Sequence, residues 1–348
     1  MNARLLSPVK DLLEGQPADS DTTSAIVAVL GGNVAETEVV TRDGFASPFE
    51  NGSRVLLYSF TKTLMAAALL RFAAAERLGL DDTLDRWLPR HPVAAKITLR
   101  DVLAHISGLP DYGGLAEYHA LVRSSSPPWS SDEFLSRTHA DRLLFEPRTS
   151  WTYSNIGYML LRDVLTRVGG GDMETVLQRD IFHPLGVKTA SVPLTKADLS
   201  GFAFGPSRYL AGGGDPVVVA NNYDPGWIAH GVVGSSAIDA ARMLRGIMET
   251  LLPSSSLEEM MKPVTRFASV GPGRPWRRPA YGLGLSMDLD EASGPIYGHT
   301  GGGPGCSPAV FHFPRCEPPL TIAVITDGED IGFAETLLLA AAGEWSRR

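Results

Sequence analysis

Short apolar segments bounded by turn residues occur near both ends of the chain, and they predict β-strands there. Near the start, residues 24–30 (SAIVAVL) and 36–41 (ETEVVT) are rich in β-branched side chains and are separated by the turn sequence GGN. Near the end, four further segments have strand character: residues 281–289, 295–299, 309–313 and 320–326. The apolar segment 332–345 follows them, and its length favours a helix.

The middle of the chain has the period of helices. The stretch from about residue 59 to residue 78 is predicted to be helical, and residues 155–167 and 240–252 carry apolar stripes at helical spacing. Ser236 begins a capping-box-like sequence before the last of these helices. Loops rich in turn residues separate the helices between about residues 80 and 270.

Strands at both ends with helices between them predict an α+β fold. The N-terminal and C-terminal segments would form one antiparallel sheet flanked by helices, with the mainly helical region inserted between them. The predicted sheet domain comprises residues 1–80 and 271–348, and the predicted helical domain comprises residues 81–270. We expect the active site to lie between these two domains.

The composition excludes several classes of function. The 348 residues are 44% hydrophobic and carry a formal charge of −8, which allows a large core but offers no basic face to a nucleic acid. Two cysteines are too few for a disulfide framework, and the histidines lack metal-ligand spacing, so we expect no metal and no cofactor. The start of the chain lacks the apolar core of a signal peptide, and no segment has transmembrane length. A cytoplasmic protein without membrane contact is the resulting expectation.

The first candidate chemistry lies in the tetrapeptide SFTK at residues 59–62. Positions i and i+3 lie on one face of a helix, so the Ser59 hydroxyl and the Lys62 amine would be neighbours. The residues that continue this face are apolar, which predicts a buried lysine with a lowered pKa. A neutral amine beside a serine hydroxyl is a base beside its nucleophile, as in the Ser-x-x-Lys acyl-enzymes.

The tetrapeptide has a structural alternative, because Ser59 could serve only as the N-cap of the helix. Two features favour catalysis. The segment before Ser59, residues 54–58, predicts an abrupt start of the helix at the serine. Lysine is also scarce in a chain that relies on arginine, so a lysine on an apolar helix face stands out; the lysines are Lys10, Lys62, Lys96, Lys188, Lys196 and Lys262.

Two further motifs follow in the order of a known enzyme family. The sequence YSN occupies residues 153–155, and HTGG occupies residues 299–302 at the end of a predicted strand. With its Ser-x-x-Lys, Tyr-x-Asn and His-Thr-Gly motifs, the chain resembles the serine β-lactamase-like family over about residues 24–345. That family comprises class C β-lactamases, D-Ala-D-Ala carboxypeptidases and β-lactamase-fold esterases. The resemblance implies the fold shared by β-lactamases and penicillin-binding proteins.

The resemblance implies a role for each motif residue. Ser59 would be the nucleophile, and Lys62 and Tyr153 would remove its proton. Tyr153 would also protonate the leaving group and activate water for deacylation, and a cationic lysine beside it would favour its anion. The backbone N–H groups of Ser59 and Gly302 would form the oxyanion hole. Orientation and binding of the substrate would fall to the remaining motif residues, Asn155, His299, Thr300 and Gly301.

The chain departs from the family pattern at three positions. Pro147-Arg148 stands where the family has Pro-Gly, which would alter the geometry of that loop. Cys306 stands near a position where the family often has an aromatic residue, and its small thiol would open space near the acyl pocket. His299 replaces the lysine of class C β-lactamases. Because histidine is only partly charged near neutral pH, it would hold a substrate carboxylate less firmly.

Other residues receive interpretations from their position alone. The basic segment 274–278 (RPWRR) is interpreted as a solvated loop rather than as a site for a substrate carboxylate. His105 is interpreted as a buried histidine whose hydrogen bonds are satisfied. Tyr112, Trp129 and residues 221–227 are expected to influence the choice of substrate.

The sequence favours a serine hydrolase that cleaves a small ester or amide, and a β-lactamase-fold esterase is the first choice. A D-amino-acid peptidase or carboxypeptidase and a weak β-lactamase are alternatives with the same residues. An acyltransferase, in which an alcohol or amine replaces water, would need product analysis to distinguish it. A catalytically silent binding protein is the alternative from another class. The acyl group, the leaving group and the oligomeric state stay open.

Overall fold

The computed structural model describes residues 3–292 and 294–345. These residues form twelve strands: β1 (Ser24–Gly31), β2 (Val34–Thr41), β3 (Arg54–Leu56), β4 (Pro206–Ser207), β5 (Val217–Val218), β6 (Gly234–Ser236), β7 (Thr265–Arg266), β8 (Pro279–Tyr281), β9 (Ser286–Asp288), β10 (Ile296–Thr300), β11 (Ser307–Phe313) and β12 (Leu320–Thr326).

The same residues form twelve α-helices: α1 (Ala3–Glu14), α2 (Phe60–Ala74), α3 (Leu99–Leu103), α4 (Ala116–Arg123), α5 (Ser131–Arg137), α6 (Asn155–Gly169), α7 (Met173–Leu177), α8 (Arg208–Ala211), α9 (Val219–Asn222), α10 (Ala237–Gly246), α11 (Ser254–Met261) and α12 (Ile331–Trp345). Two π-helical segments, Gln178–Phe182 and Ile247–Leu251, extend α7 and α10. Short 3-10 turns occur at Leu84–Arg86, Ala94–Lys96, Lys196–Leu199 and Pro225–Trp227.

Eight of these strands form one antiparallel sheet in the order β2-β1-β12-β11-β10-β9-β8-β7. The two ends of the chain meet in its centre, where Val27 of β1 pairs with Val324 of β12. On the other side of β12, Ala309 of β11 pairs with the same valine. The predicted α+β class, with a sheet built from both ends of the chain, is confirmed.

Strand β1 requires helices on both faces of the sheet, because all eight of its residues are buried. Side chains alternate between the two faces of a strand. Val27 and its i±2 neighbours join the core formed with α1 and α12, which includes Leu337. Ile26 and Ala28 join the larger core that includes α2 and α10. The near-continuous apolar sequence of β1 follows from this double burial.

Most predicted elements are confirmed to within a few residues at each end, and two differ more substantially. The segment 281–289 forms β8 and β9 rather than one strand, because Gly284 adopts a φ of +66° and the chain reverses there. Helix α2 ends at Ala74 instead of residue 78, and Glu76 beyond it has a φ of +56°. The left-handed conformation at Glu76 is incompatible with a continued α-helix.

Helix α10 bears on the predicted division into domains. It belongs to the segment assigned to a helical domain, yet it packs against β1 and β12 of the sheet. The division at residues 80 and 270 therefore stays a prediction. None of the helices in the described ranges combines the length and the apolar character needed to cross a membrane.

Candidate active site

Ser59 lies at the start of α2, where the backbone turns sharply. The preceding Tyr58 has a left-handed φ of 44°, which is uncommon for a residue with a bulky side chain. Ser59 occupies the N-cap position, but its side chain makes no capping hydrogen bond. The structural alternative is thus correct for the position of Ser59 and wrong for its hydroxyl, which stays available for chemistry.

The glycines after β10 allow a second backbone segment to approach this turn. A Cβ atom at Gly301 would lie 2.5 Å from the carbonyl oxygen of Leu57, and one at Gly303 would lie 2.2 Å from the ring of Tyr58. A larger residue would force the segments apart. Gly302, between these glycines, consequently lines the same cavities as Ser59.

Lys62 lies one turn into α2 and is fully buried. Its Nζ atom is 3.1 Å from Ser59 Oγ, 2.7 Å from Asn155 Oδ1 and 3.2 Å from His230 Nε2. Burial lowers the pKa of Lys62 to about 7, against the opposing charge of Asp111. The prediction of a buried lysine with a lowered pKa beside Ser59 is confirmed, and a large fraction of this amine is neutral at neutral pH.

Asn155 begins α6, and its side-chain amide has a defined orientation. The N-cap of this helix is Ser154, whose hydroxyl accepts a hydrogen bond from the Gly157 N–H at 2.9 Å. The Asn155 amide is therefore free to donate from Nδ2 to Asp111 at 3.3 Å. Because a carboxylate accepts only from the NH₂ group, the Oδ1 atom points to Lys62.

Tyr153 lines a cavity beside Ser59. Its ring lies 4.9 Å from Lys62 Nζ and packs against His105, with the ring centroids 4.3 Å apart. Burial raises the pKa of Tyr153 above its usual range, although its interaction with the Ser59 hydroxyl opposes the shift. The expectation that Tyr153 would favour the phenolate is wrong, because the largest influence on its pKa is burial, which favours the neutral phenol. Tyr153 is protonated at neutral pH and can act as a proton donor.

His299 ends β10 as an uncharged histidine. Its Nδ1 lies 2.7 Å from the Thr300 carbonyl oxygen, which only accepts, so Nδ1 carries the proton. Nε2 then accepts from the Tyr281 hydroxyl at 3.1 Å. Burial first, and then the charge of Lys62, lowers the pKa of His299 to about 3. The expected partial charge near neutral pH is therefore absent, and His299 cannot hold a substrate carboxylate as a cation.

The interpretation of residues 274–278 as a solvated loop is wrong for Arg274. Its guanidinium forms a bidentate ion pair with Glu335 of α12, whose side chain is 0% exposed. The Thr300 hydroxyl donates to the same carboxylate. Arg274 also lines the cavity that contains Tyr153 and His299.

Two cavities adjoin Ser59 and Gly302, and we define them by the motif residue that each contains. The tyrosine-side cavity holds about 540 Å³ and is lined by Tyr153, His299, Thr300 and Gly301, with Trp151, Phe267 and Tyr281 beyond them. The asparagine-side cavity holds about 370 Å³ and is lined by Asn155 and His230, with Tyr112, Tyr118, Tyr209, Tyr223 and Glu329 beyond them. A substrate whose carbonyl group lay at Ser59 would extend into both cavities.

His230 and Asp111 were not identified from the sequence as functional residues. His230 is buried, and burial together with the charges of Lys62 and Arg162 lowers its pKa well below the usual value. Its contact with Lys62 joins positions 168 residues apart in the chain. Asp111, which accepts from Asn155, likewise lies outside the three sequence motifs. Neither residue belongs to a local motif, so only the fold brings them to the site.

Three sequence interpretations are revised by the structure. Arg148 keeps the left-handed backbone that glycine would allow, with a φ of 70°, while its guanidinium pairs with the buried Asp101 carboxylate. Cys306 is fully buried and lines neither cavity, so its small side chain opens no space there. His105 is buried, but within the described ranges only its Nδ1 has a hydrogen-bond partner.

Only some of the residues that were expected to influence substrate choice lie at the site. Tyr112 and Tyr223 line the asparagine-side cavity. Trp129 and Trp227 pack on each other with ring centroids 5.4 Å apart and line neither cavity. In the part of the chain that the structure describes, no cluster of three or more His, Cys, Asp or Glu side chains could hold a metal ion.

Comparison with known proteins places these features in a family. The family model described as Beta-lactamase matches residues 9–342. A penicillin-binding protein of Bacillus subtilis is 26% identical over 84% of this chain and 65% of its own length. Esterase EstB of Burkholderia gladioli is 26% identical over 73% of this chain and 74% of its own. This chain thus spans somewhat less than two thirds of that penicillin-binding protein.

A solved structure has the same fold. The crystal structure of a D-stereospecific amidohydrolase from a Streptomyces species superposes with a TM-score of 0.81, and the match covers 96% of this chain and 98% of that one. The two sequences are 24% identical. The backbone architecture is therefore shared over nearly the whole chain, while the substrate is not determined by this similarity.

Proposed function

Since the chain belongs to the Beta-lactamase family, we propose that it is a serine hydrolase that cleaves a small ester through an acyl-enzyme on Ser59. The observation that carries this proposal is the fully buried Lys62, whose Nζ lies 3.1 Å from Ser59 Oγ and whose pKa is about 7. A base with a pKa near the working pH is the most effective one. EstB, one of its relatives, is an esterase by name.

The hydrogen bonds of Lys62 support its role as the base for acylation. A neutral amine has two N–H groups and one lone pair. Asn155 Oδ1 accepts one N–H, and His230 Nε2 lies in position to accept the other. The lone pair is then left for the Ser59 O–H. Ser59 Oγ attacks the substrate carbonyl carbon as its proton moves to Lys62 Nζ.

The oxyanion formed by this attack would be bound by the backbone N–H groups of Ser59 and Gly302. The support is the shared location of the two residues, which both line the two cavities. One such donor typically lowers an acylation barrier by about 3 kcal/mol. His299, Thr300 and Gly301 would bind substrate on the tyrosine side through neutral contacts.

Tyr153 would protonate the leaving group, and this role assigns one part of the substrate to each cavity. A leaving group that receives the Tyr153 proton must occupy the tyrosine-side cavity, and the acyl group then occupies the asparagine-side cavity. The proton that Lys62 received from Ser59 returns to Tyr153. In deacylation, neutral Lys62 would remove a proton from the attacking water, Tyr153 would protonate the departing Ser59 oxygen, and the proton on Lys62 would again return to Tyr153. An alcohol or amine in place of water would give acyl transfer.

A D-aminoacyl amide is the second candidate substrate, since one relative is a D-aminopeptidase by name and Glu329 could attract an ammonium group of either configuration. This residue is the one acidic side chain among the residues that line the asparagine-side cavity. An ammonium group on the acyl part of a substrate would be attracted to that carboxylate. However, Glu329 already accepts hydrogen bonds from Ser207, Tyr209 and Gly305. Because its oxygens are already used in these hydrogen bonds, we rank the amide second to the ester as a substrate.

A substrate panel and a covalent probe test the proposed function. We expect turnover to be fastest with p-nitrophenyl butyrate, slower with D-phenylalaninamide and slowest with nitrocefin. A fluorophosphonate probe should add one adduct, mapped to Ser59 by peptide mass spectrometry. A folded protein that turns over none of the three substrates and forms no adduct at Ser59 would be a binding protein, and the proposal would be wrong.

His230 gives a finer prediction for the same reaction. His230→Leu removes an acceptor that stabilises the ammonium form of Lys62, so the pKa of Lys62 should fall further and the acidic limb of kcat/KM should move to lower pH. The plateau should drop about tenfold, because the lone pair is no longer directed at Ser59. His230→Gln keeps an acceptor and serves as the matched variant. Equal profiles for wild type and His230→Leu would contradict the role.

A further inference from the structure

The tyrosine-side cavity contains one charged side chain among its lining residues, and that side chain is already paired. Arg274 donates from both Nε and Nη2 to Glu335. Glu335 is 0% exposed, so its carboxylate has no water to replace the guanidinium. Breaking this pair would leave a buried charge without a partner, which costs several kcal/mol in typical proteins.

The other groups of the cavity supply no charge to an anion. His299 is held neutral by donating to the Thr300 carbonyl and accepting from Tyr281. Thr300 directs its hydroxyl to Glu335 and cannot also donate to a substrate. The walls beyond these residues are largely aromatic and include Trp151, Phe267 and Tyr281.

We propose, resting on the proposed hydrolase function, that the leaving group is an uncharged apolar or aromatic alcohol, and that Glu335 determines this specificity by neutralising Arg274. A carboxylate on the leaving group would lose its hydration in this cavity without gaining an unpaired cation. It would also lie near the Glu335 carboxylate, which carries the same charge. Apolar leaving groups face neither penalty and bury their surface against the aromatic walls.

Glu335→Gln tests this inference, because the variant is expected to gain the ability to bind a carboxylate on the leaving group. The amide is nearly isosteric and its oxygen can still accept from Thr300, but it no longer neutralises Arg274. The guanidinium would then be free to bind a carboxylate in bidentate geometry. The substrates are phenyl acetate and 3-carboxyphenyl acetate, which share an acyl group and release phenols of similar acidity.

We expect wild-type protein to prefer phenyl acetate by about tenfold or more in kcat/KM, and Glu335→Gln to reduce this preference at least tenfold. Glu258→Gln is the control, because it removes the same charge at an exposed position of α11 and should keep the wild-type ratio. A wild-type protein without the preference, or a folded Glu335→Gln variant with an unchanged ratio, would overturn the inference.

A binding measurement separates this inference from the proposed function and from any folding defect of Glu335→Gln. Trp151 and Trp276 line the cavity, so phenol and 3-hydroxybenzoate can be titrated against wild-type protein by tryptophan fluorescence. Phenol should bind more tightly. Tighter binding of 3-hydroxybenzoate would overturn the inference, whereas absent turnover of both esters with tighter phenol binding would refute only the hydrolase.

Discussion

Replacing Lys62 by methionine is expected to lower kcat/KM for p-nitrophenyl butyrate about a thousandfold to ten-thousandfold. Methionine has a similar length and fills the same buried volume, but it supplies no lone pair to the Ser59 hydroxyl. A serine without its base is a weak nucleophile at neutral pH. Ser59→Ala, which lacks the nucleophile itself, gives the lowest activity that we expect to measure. We expect the two variants to lie close together, because residues that act as a unit are strongly non-additive.

The pH profile of the wild-type protein tests the proposed role of Lys62 as the base. Only the neutral amine can accept the Ser59 proton, and burial lowers the pKa of Lys62 to about 7. Activity should therefore rise with pH through about 7 and fall about tenfold for each pH unit below it. His299 does not produce this limb, because its pKa of about 3 lies far below it.

Two further variants control this experiment. Lys62→Arg keeps a cation that does not deprotonate in proteins, so it should be as inactive as Lys62→Met at every pH. Lys96→Met removes an exposed lysine from a 3-10 turn and should leave kcat/KM unchanged. A Lys62→Met variant that retains most of the activity, in a folded protein, would show that another group removes the Ser59 proton.

The sheet and the pairing of Ser59 with Lys62 could be predicted because both depend on local periodicity. The near-continuous apolar sequences of β1 and β12 indicate strands that are buried on both faces, and spacing on a helix makes residues 59 and 62 neighbours. The Tyr153 and His299 motifs were found through their order in the chain. Each motif is contained in a few consecutive residues, and only the order of the motifs extends beyond the local sequence.

The contacts that tune the site could not be predicted, because they join distant parts of the chain. Glu335 reads as one polar position on an apolar C-terminal helix, and nothing local indicates that it holds Arg274, 61 residues away. The pKa of Tyr153 is set mainly by its burial, and the motif sequence does not reveal how deeply this side chain is buried. Sequence motifs therefore located the candidate reacting groups, while the protonation states of these groups required the packing around them.

Replacing Tyr153 by phenylalanine is expected to affect substrates according to their leaving group. Burial raises the pKa of Tyr153, so its phenol is protonated at neutral pH and can donate a proton but is a poor base. Benzyl alkoxide is a poor leaving group without a proton, and kcat/KM for benzyl butyrate should fall about a hundredfold to a thousandfold. Nitrophenolate is stable as an anion, so p-nitrophenyl butyrate should lose less than about tenfold.

The comparison isolates the proton donor because both esters deliver the same butyryl group to Ser59. The acyl-enzyme and its hydrolysis are then identical, and any difference between the substrates arises in acylation. Tyr281→Phe is the matched control: it removes a hydroxyl from the same cavity, one that serves His299, and should change both substrates by the same factor. Equal losses for the two esters in Tyr153→Phe would instead identify Tyr153 as a base for Ser59, because that proton must be removed whatever the leaving group.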